Sequence, residues 1–251
     1  MTIDLDALRK KHAELNKPRG AGGNNDEFLK KFFQVQDGNN VVRILPGIND
    51  RQFYSETKIH RVPTADGNTK NVHCRKVQGE ACPLCDLYYS LWKTTGSKEK
   101  VAADQALARQ IKPRERYYLN VLDRATNEVK IFSTGKIVMN KIISSILDED
   151  IGDITNPETG HDFKIHKVME GQWPKYDQSA PRPKPSALGT KQEIAAALEL
   201  RHDIYTLVKL EDYEEVKKIA ETLAVGGSVA APSRAASVEV SDEDYMDKLQ
   251  A

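Results

Sequence analysis

The chain reads as a mainly β protein with helical insertions: an OB-fold, that is, a small Greek-key barrel, carrying a zinc-binding subdomain. Two observations predict this. About five short strand signals are joined by connections of very unequal length, which suits a small barrel with insertions. Three cysteines and a histidine, His60, Cys74, Cys82 and Cys85, fall in one stretch and make a closed tetrahedral zinc set.

The elements follow in order. Residues 2–16 read as an amphipathic helix, with Leu5, Leu8 and Leu15 on one face beside Arg9, Lys10 and Lys11. Pro18 to Asn25 ends it as a linker. Val41 to Leu45 before Pro46-Gly47 is a strand with a turn, and Phe53 to Val62 is a second strand with His60 near its end. Asp66-Gly67-Asn68 marks a turn, from which the chain returns to Cys74. Leu84, Leu87, Tyr88 and Leu91 fall at helical spacing after Cys82, and the alanine-rich stretch 97–111 is also helical. Tyr117 to Leu122 and Glu128 to Ser133 form a hairpin. Val138, Met139, Ile142, Ile143, Ile146 and Leu147 predict a core-facing helix. Asp162 to Val168 is a strand, and Pro181 to Pro185 is a stiff extended segment. Helical pattern returns over 191–200 and 211–223. The expected organisation is a basic N-terminal arm over 1–22 and a barrel core over 23–225. The zinc subdomain covers about residues 56–95, and a flexible linker with an acidic tail covers 226–251.

With 251 residues the chain can bury one substantial core with appendages. No apolar run reaches membrane-spanning length, so no membrane partner is expected. The N-terminus lacks the apolar core of a secretory signal, and an odd number of cysteines argues against a disulfide framework. A reducing cytoplasm is the expected compartment. The net charge is zero but segregated. Arg109 to Lys141 is strongly basic, whereas Glu239, Asp242, Glu243, Asp244 and Asp247 face a single Lys248. That pattern fits a polyanion-binding body with a solvated acidic arm, and the arm can compete with a polyanion for a positive cleft.

Cys82-Pro83-Leu84-Cys85 is a tight knuckle in which two thiolates reach one ion. Cys74 returns to it across a short loop. The fourth ligand is His60 or His73. A residue beside a ligand in extended chain points the opposite way, which favours His60 over His73, the neighbour of Cys74. A closed set leaves no open position for a substrate, so the ion is structural and the chain is not an enzyme. His12-Ala13-Glu14 with Cys82-x-x-Cys85 superficially matches a deaminase pattern. The histidine lies on the detached arm, however, and a third thiolate fills the ion's shell. Gly135-Lys136 lacks the first glycine and the hydroxyl of a phosphate loop.

Aromatic residues cluster with the positive charge. Arg114 and Arg116 precede Tyr117-Tyr118, Phe132 lies between Lys130 and Lys136, and Trp173-Pro174-Lys175-Tyr176 follows a strand. Cations neutralise phosphates and ring faces stack on bases without regard to sequence, which is what single-stranded nucleic acid requires. In a strand Tyr117 and Tyr118 face opposite sides, so one belongs to the core. A competing reading is a zinc-ribbon module that binds protein and no nucleic acid.

On these residues the chain resembles the single-stranded DNA-binding gene 32 proteins of T-even-type bacteriophages. The resemblance is carried by Leu8 to Lys17, by Val41-Val42-Arg43-Ile44-Leu45-Pro46 and by the order of His60 and the three cysteines. It continues through Arg116 to Leu122, Val129 to Ile143, Phe163 to Asp177 and the acidic end. It implies an OB-fold core with one structural Zn2+ on His60, Cys74, Cys82 and Cys85. Tyr117, Tyr118, Phe132, Trp173 and Tyr176 would stack on bases, and Arg114, Arg116 and Lys136 would meet phosphates. The family also implies a basic arm that binds the next protomer, giving cooperativity, and a tail that recruits phage replication and recombination proteins. The setting would be DNA replication, recombination and repair in the cytoplasm of the infected bacterial host.

Overall fold

A computed structural model describes residues 23–171 and 173–225. Eight strands form a mainly antiparallel sheet: β1 (Gly38–Ile44), β2 (Tyr54–Pro63), β3 (Thr69–His73), β4 (Arg114–Asp123), β5 (Glu128–Thr134), β6 (Phe163–Glu170), β7 (Trp173–Lys175) and β8 (Ala180–Pro181). The strand order is β3-β2-β4-β1-β6-β7, with β5 on β4 and β8 on β6. The sheet curls into a half-barrel, the mainly β, OB-like architecture expected from the sequence. Strand β4 is its spine. Tyr117 to Leu119 pair with β2 and with β5 at once, so β2 and β5 lie on opposite edges of β4. Farther along, Val121 to Asp123 pair with β1 and β5. The outer edge of β5 is covered by the chain at Phe32, where Phe33 N–H donates to Ile131 O at 2.8 Å and Ile131 N–H donates to Lys31 O at 2.8 Å. That contact blunts an edge that would otherwise template aggregation.

Helices fill the connections: α1 (Gly23–Lys30), α2 (Pro83–Trp92), α3 (Lys98–Ile111), α4 (Lys136–Leu147), α5 (Lys191–Glu199) and α6 (Tyr213–Val225). Their ends follow local chemistry. Pro83 opens α2, where its missing N–H costs nothing. Ser97 caps α3 by accepting from Lys100 N–H at 3.3 Å. Thr190 and Glu193 close a reciprocal capping box on α5.

Three apolar clusters result. The barrel core joins Val42 and Ile44 of β1, Leu119 and Val121 of β4, Phe163 and Ile165 of β6, and Val138, Met139 and Ile142 of α4. A second core joins the three cysteines to Leu84, Leu91, Ala108 and Ile111. Val216, Ala220 and Leu223 of α6 complete it, so the lobe's packing draws on residues well past the expected 56–95 span. A small third cluster holds Leu45, Leu122, Leu188 and Ala197.

Most sequence-derived elements recur within two or three residues. Four details differ. Gly23 to Asn25, expected as linker, begin α1. The return to Cys74 is itself strand β3, paired with β2 from Ile59↔His73 to Pro63↔Thr69. Trp173 to Lys175, expected as loop, pairs with β6 as β7, and Ala180–Pro181 forms the short β8. These strands are too short to show alternation; the partner strand specifies them. The expected arm helix, the linker over 226–237 and the acidic tail lie outside the described residues. No helix among the described residues is long and apolar enough to cross a membrane.

The packing of α6 is testable. Leu223 is buried against the cysteine-bearing lobe. Leu223→Ala should lower unfolding free energy by about 2–5 kcal/mol, read from urea denaturation, as for other buried leucines. A loss within experimental error would place α6 outside the cooperative unit.

Candidate metal centre and nucleic-acid interface

The four metal-site residues arrive from three directions. His60 lies on β2. The β2–β3 hairpin brings Cys74 back beside it, with Cys74 N–H donating to Lys58 O at 2.7 Å. A 3₁₀ turn (Arg75–Gln78) then ends at Gly79, whose φ of 77° is the left-handed conformation glycine adopts without a Cβ penalty. The chain reaches Cys82 at the N-cap of α2 and Cys85 in its first turn. All four side chains are buried, and their ligand atoms lie within 4.8 Å of one another. His60 Nε2 is 3.5 Å from Cys82 Sγ and 3.6 Å from Cys85 Sγ, and Cys74 Sγ is 3.5 Å from Cys85 Sγ. An ion with tetrahedral bonds of roughly 2.3 Å to sulfur and 2.0 Å to nitrogen spaces its donors at about 3.5–3.8 Å. The cluster is thus sized to hold a metal ion.

The second ring nitrogen supports the same reading. His60 Nδ1 lies 2.7 Å from Ile111 O, so Nδ1–H donates to that carbonyl and Nε2 is the nitrogen that faces the sulfurs. His73 instead places Nδ1 3.2 Å from Thr57 Oγ1, outside the cluster. The sulfurs also compete for protons when no cation neutralises them. Hydrogen bonds from Cys74 and Cys85 pull the Cys82 thiol far down, while those to Cys74 and Cys82 push the Cys85 thiol far up. Burial opposes the charged form of His60, yet bonds to Cys74, Cys82 and Ile111 outweigh it and raise the imidazole to about 9. A divalent cation would let all three sulfurs ionise together.

The aromatic face lies along the other half of the sheet. On β4 the side chains of Tyr117, Leu119 and Val121 share one side, and the last two sit in the barrel core. Tyr117 stands at its rim, only partly exposed, with its ring edge-on to Tyr54 at 5.9 Å. Tyr54 in turn meets Phe53 at 5.1 Å. Burial, then Glu115 and Glu56, holds the Tyr117 phenol above its usual range, and its hydroxyl donates to Glu115 Oε2 at 3.3 Å. Tyr176 borders the same core. Lys136 is exposed at the start of α4, two residues beyond Thr134, the β5 partner of Tyr117. Trp173 is partly exposed on β7 opposite Glu170.

Tyr118 and Arg116 point to the opposite side of β4, beside Ser55 and Thr57 on β2. Burial raises the Tyr118 phenol, with Arg116 opposing the shift. Two expected contacts are corrected. Phe132 is only 2% exposed and packs edge-on to Phe33 at 5.8 Å, so it is a core ring and not a free stacking face. Arg114 is buried and donates to Arg109 O at 3.2 Å, which ties β4 to the end of α3. The periodicity of β4 and β5 leaves their inner sides open, and burial decides both. Tyr54, outside the expected stacking set, gains its place only from the β2–β4 register.

A separate aromatic–cation surface lies on the metal lobe. Tyr89 and Trp92 on α2 are 51% and 37% exposed. Lys76 Nζ sits 5.1 Å from the Tyr89 ring, and the Arg109 guanidinium 5.3 Å from Trp92.

Residues 36–225 match the family described as gp32 DNA binding protein like. The chain belongs to this gp32-like DNA-binding family. The match spans both the half-barrel and the metal lobe. A comparison with curated proteins finds no match. The family is one of DNA-binding proteins and not of enzymes, and the described residues supply it with a sheet carrying partly exposed rings beside a buried four-donor cluster.

The donor set makes a separable prediction. Co2+ should bind one per chain with the visible absorption of a tetrahedral thiolate site. His60→Ala or Cys74→Ser should abolish that spectrum, while His73→Ala should leave it intact. Because the sulfurs bind as thiolates, metal retention should fall as pH is lowered. An unchanged spectrum in His60→Ala would remove that residue from the set.

Proposed function

We propose that this gp32-like protein binds single-stranded DNA without sequence preference, coating and protecting it. Membership of a DNA-binding family supports the coarse reading. The observation that carries the finer one is the rim of partly exposed rings, Tyr54, Tyr117 and Tyr176, bordering one core beside exposed Lys136. Rings placed so accept bases from any sequence, and the lysine meets the backbone. Glu56 and Glu115 border Tyr117 on the β2 side. Their charge repels phosphate there and favours a path on the Lys136 and Tyr176 side. Trp173 is a further contact in this reading, whereas Tyr118 and Arg116, on the opposite side of β4, would meet DNA only if the strand also crossed to that face.

The metal in this account is a single structural Zn2+. Three thiolates and one imidazole suit that ion, and the closed set supplies folding free energy to a lobe with a small core of its own. The proposed setting is phage DNA replication, recombination and repair in the cytoplasm of the infected bacterial host. The arm over 1–22 would contact the next protomer along the strand, and the acidic tail would recruit replication and recombination proteins.

Oligo-dT should quench the intrinsic fluorescence, and log affinity should fall with log salt by about 0.7 per phosphate contacted. Tyr117→Ala should weaken binding by about 1–3 kcal/mol, roughly 5- to 150-fold, with the protein still folded. Phe132→Ala should instead lower stability by about 3–5 kcal/mol. A salt-independent affinity would rule out phosphate contacts. Removal of Zn2+ by a chelator should lower the melting temperature; equal stability without the ion would deny it a structural role.

A further inference from the structure

The segment Pro181-Arg182-Pro183-Lys184-Pro185 has no part in the face described so far. From Gln178 to Gln192 the chain contains no acidic residue, yet it carries Arg182, Lys184 and Lys191. Arg182 through Ala187 are exposed. Neither Arg182 nor Lys184 has a carboxylate partner among the described residues.

The backbone of this strap is fastened at both ends. Strand β8 pairs with β6 at Lys164↔Ala180 and Phe163↔Pro181. Arg182 N–H donates to Asp162 O at 2.7 Å, and Arg182 O lies 2.7 Å from His161 Nδ1. Beyond the bow, Ser186 N–H donates to Gly160 O at 2.9 Å and Leu188 N–H to Pro157 O at 2.7 Å. Two guanidiniums secure the same end: Arg43 donates to Ser186 O, and Arg124 Nη1 donates to Leu188 O at 2.7 Å. Asp162 pairs with both, at 3.6 Å from Arg43 Nε and 2.8 Å from Arg124 Nη2. Between these fastenings Pro183 and Pro185 fix φ near −65° and hold the chain extended. The fastening uses the strap's main chain and the Ser186 hydroxyl, which accepts from Arg43 at 3.3 Å, so the Arg182 and Lys184 side chains remain available to a ligand.

The strap leaves β8 at the sheet edge beside β6 and ends on the side opposite Tyr117, where Leu188 packs with Leu45, Leu122 and Ala197. It follows Tyr176, whose carbonyl accepts from Ser179 N–H at 3.0 Å. Helix α4 packs against β8, and its Lys141 donates to Asp177 O at 2.9 Å. Arg182 and Lys184 thus follow Tyr176 by six and eight residues, on the segment that leaves β8 at the sheet edge. A charge on a braced backbone needs less ordering to bind than one on a mobile loop.

We propose that the braced strap is a phosphate-contacting rail, on which Arg182 and Lys184 hold the sugar–phosphate backbone of single-stranded DNA beyond Tyr176. This rests on the single-strand reading and extends its footprint past the aromatic face.

The experiment titrates the full chain with a short oligo-dT of about 4–6 nucleotides and a longer one of about 16, across a salt series. Fluorescence quenching by the short oligo reports the aromatic face by itself. The double variant Arg182→Ala/Lys184→Ala should reduce the salt slope on the longer oligo by about 1.4, about 0.7 for each lost phosphate. Its affinity for the short oligo and its melting temperature should stay at wild-type values, and Arg182→Lys/Lys184→Arg should retain the wild-type slope. An unchanged slope on the longer oligo, with normal quenching by both, overturns the rail and leaves the aromatic face standing. An equal loss on both oligos also overturns it, because the strap would then belong to the face and not extend it. Failure of the wild-type chain to bind either oligo defeats the single-strand reading and the rail with it.

Discussion

The hydrogen bonding of strand β4 along both edges is the constraint on which the structure depends. One edge serves β2 in its first half and β1 in its second, while β5 runs along most of the other. Where both edges are paired, β4 cannot shift without breaking several ladders at once. It follows that the metal lobe and the half-barrel share one strand. His60 on β2 lies only a few residues from Glu56, the register partner of Tyr117. The ion site and the aromatic rim are thus placed by the same pairing.

Side chains reinforce that sharing. Arg114, at the start of β4, reaches the end of α3, whose last residue, Ile111, accepts from His60 Nδ1. Helix α6 closes the lobe from outside, and the Arg75 guanidinium 5.8 Å from the Tyr213 ring joins the Cys74 turn to its start. A lobe with so few apolar residues is marginal by area alone, and metal binding is a common solution for small cores. The lobe is therefore best understood as a brace that sets β2, and through β2 the position of Tyr54 against Tyr117.

The metal cluster is largely legible in the sequence because its signal is local: three cysteines, a tight turn and the alternation that turns His73 away from Cys74. Helix α4 is legible for a related reason, since Val138, Met139 and Ile142 repeat with the helical period. The aromatic face is legible in composition and not in geometry. Alternation separates Tyr117 from Tyr118, but it does not say which side of β5 faces the core, and Phe132 falls inward. Arg114 reads as a surface charge because nothing local reveals that α3 ends beside it. The role of Tyr54, the docking of α6 and the fastening of residues 182–188 all depend on partners distant in sequence. Such information lies in register and packing, which no single window of sequence contains.

In the proposed complex, unpaired bases lie on the rim formed by Tyr54, Tyr117 and Tyr176, positioned by β4. The most direct measurement is photocrosslinking of the zinc-loaded chain to an oligo-dT bearing 5-iodouracil, with the adducts located by peptide mass spectrometry. Adducts are expected on the peptides that contain Tyr54, Tyr117 and Tyr176, with Trp173 beside the last, suppressed by excess single-stranded DNA and not by duplex. Adducts confined to α2 or α5, with none on β4, would contradict that placement.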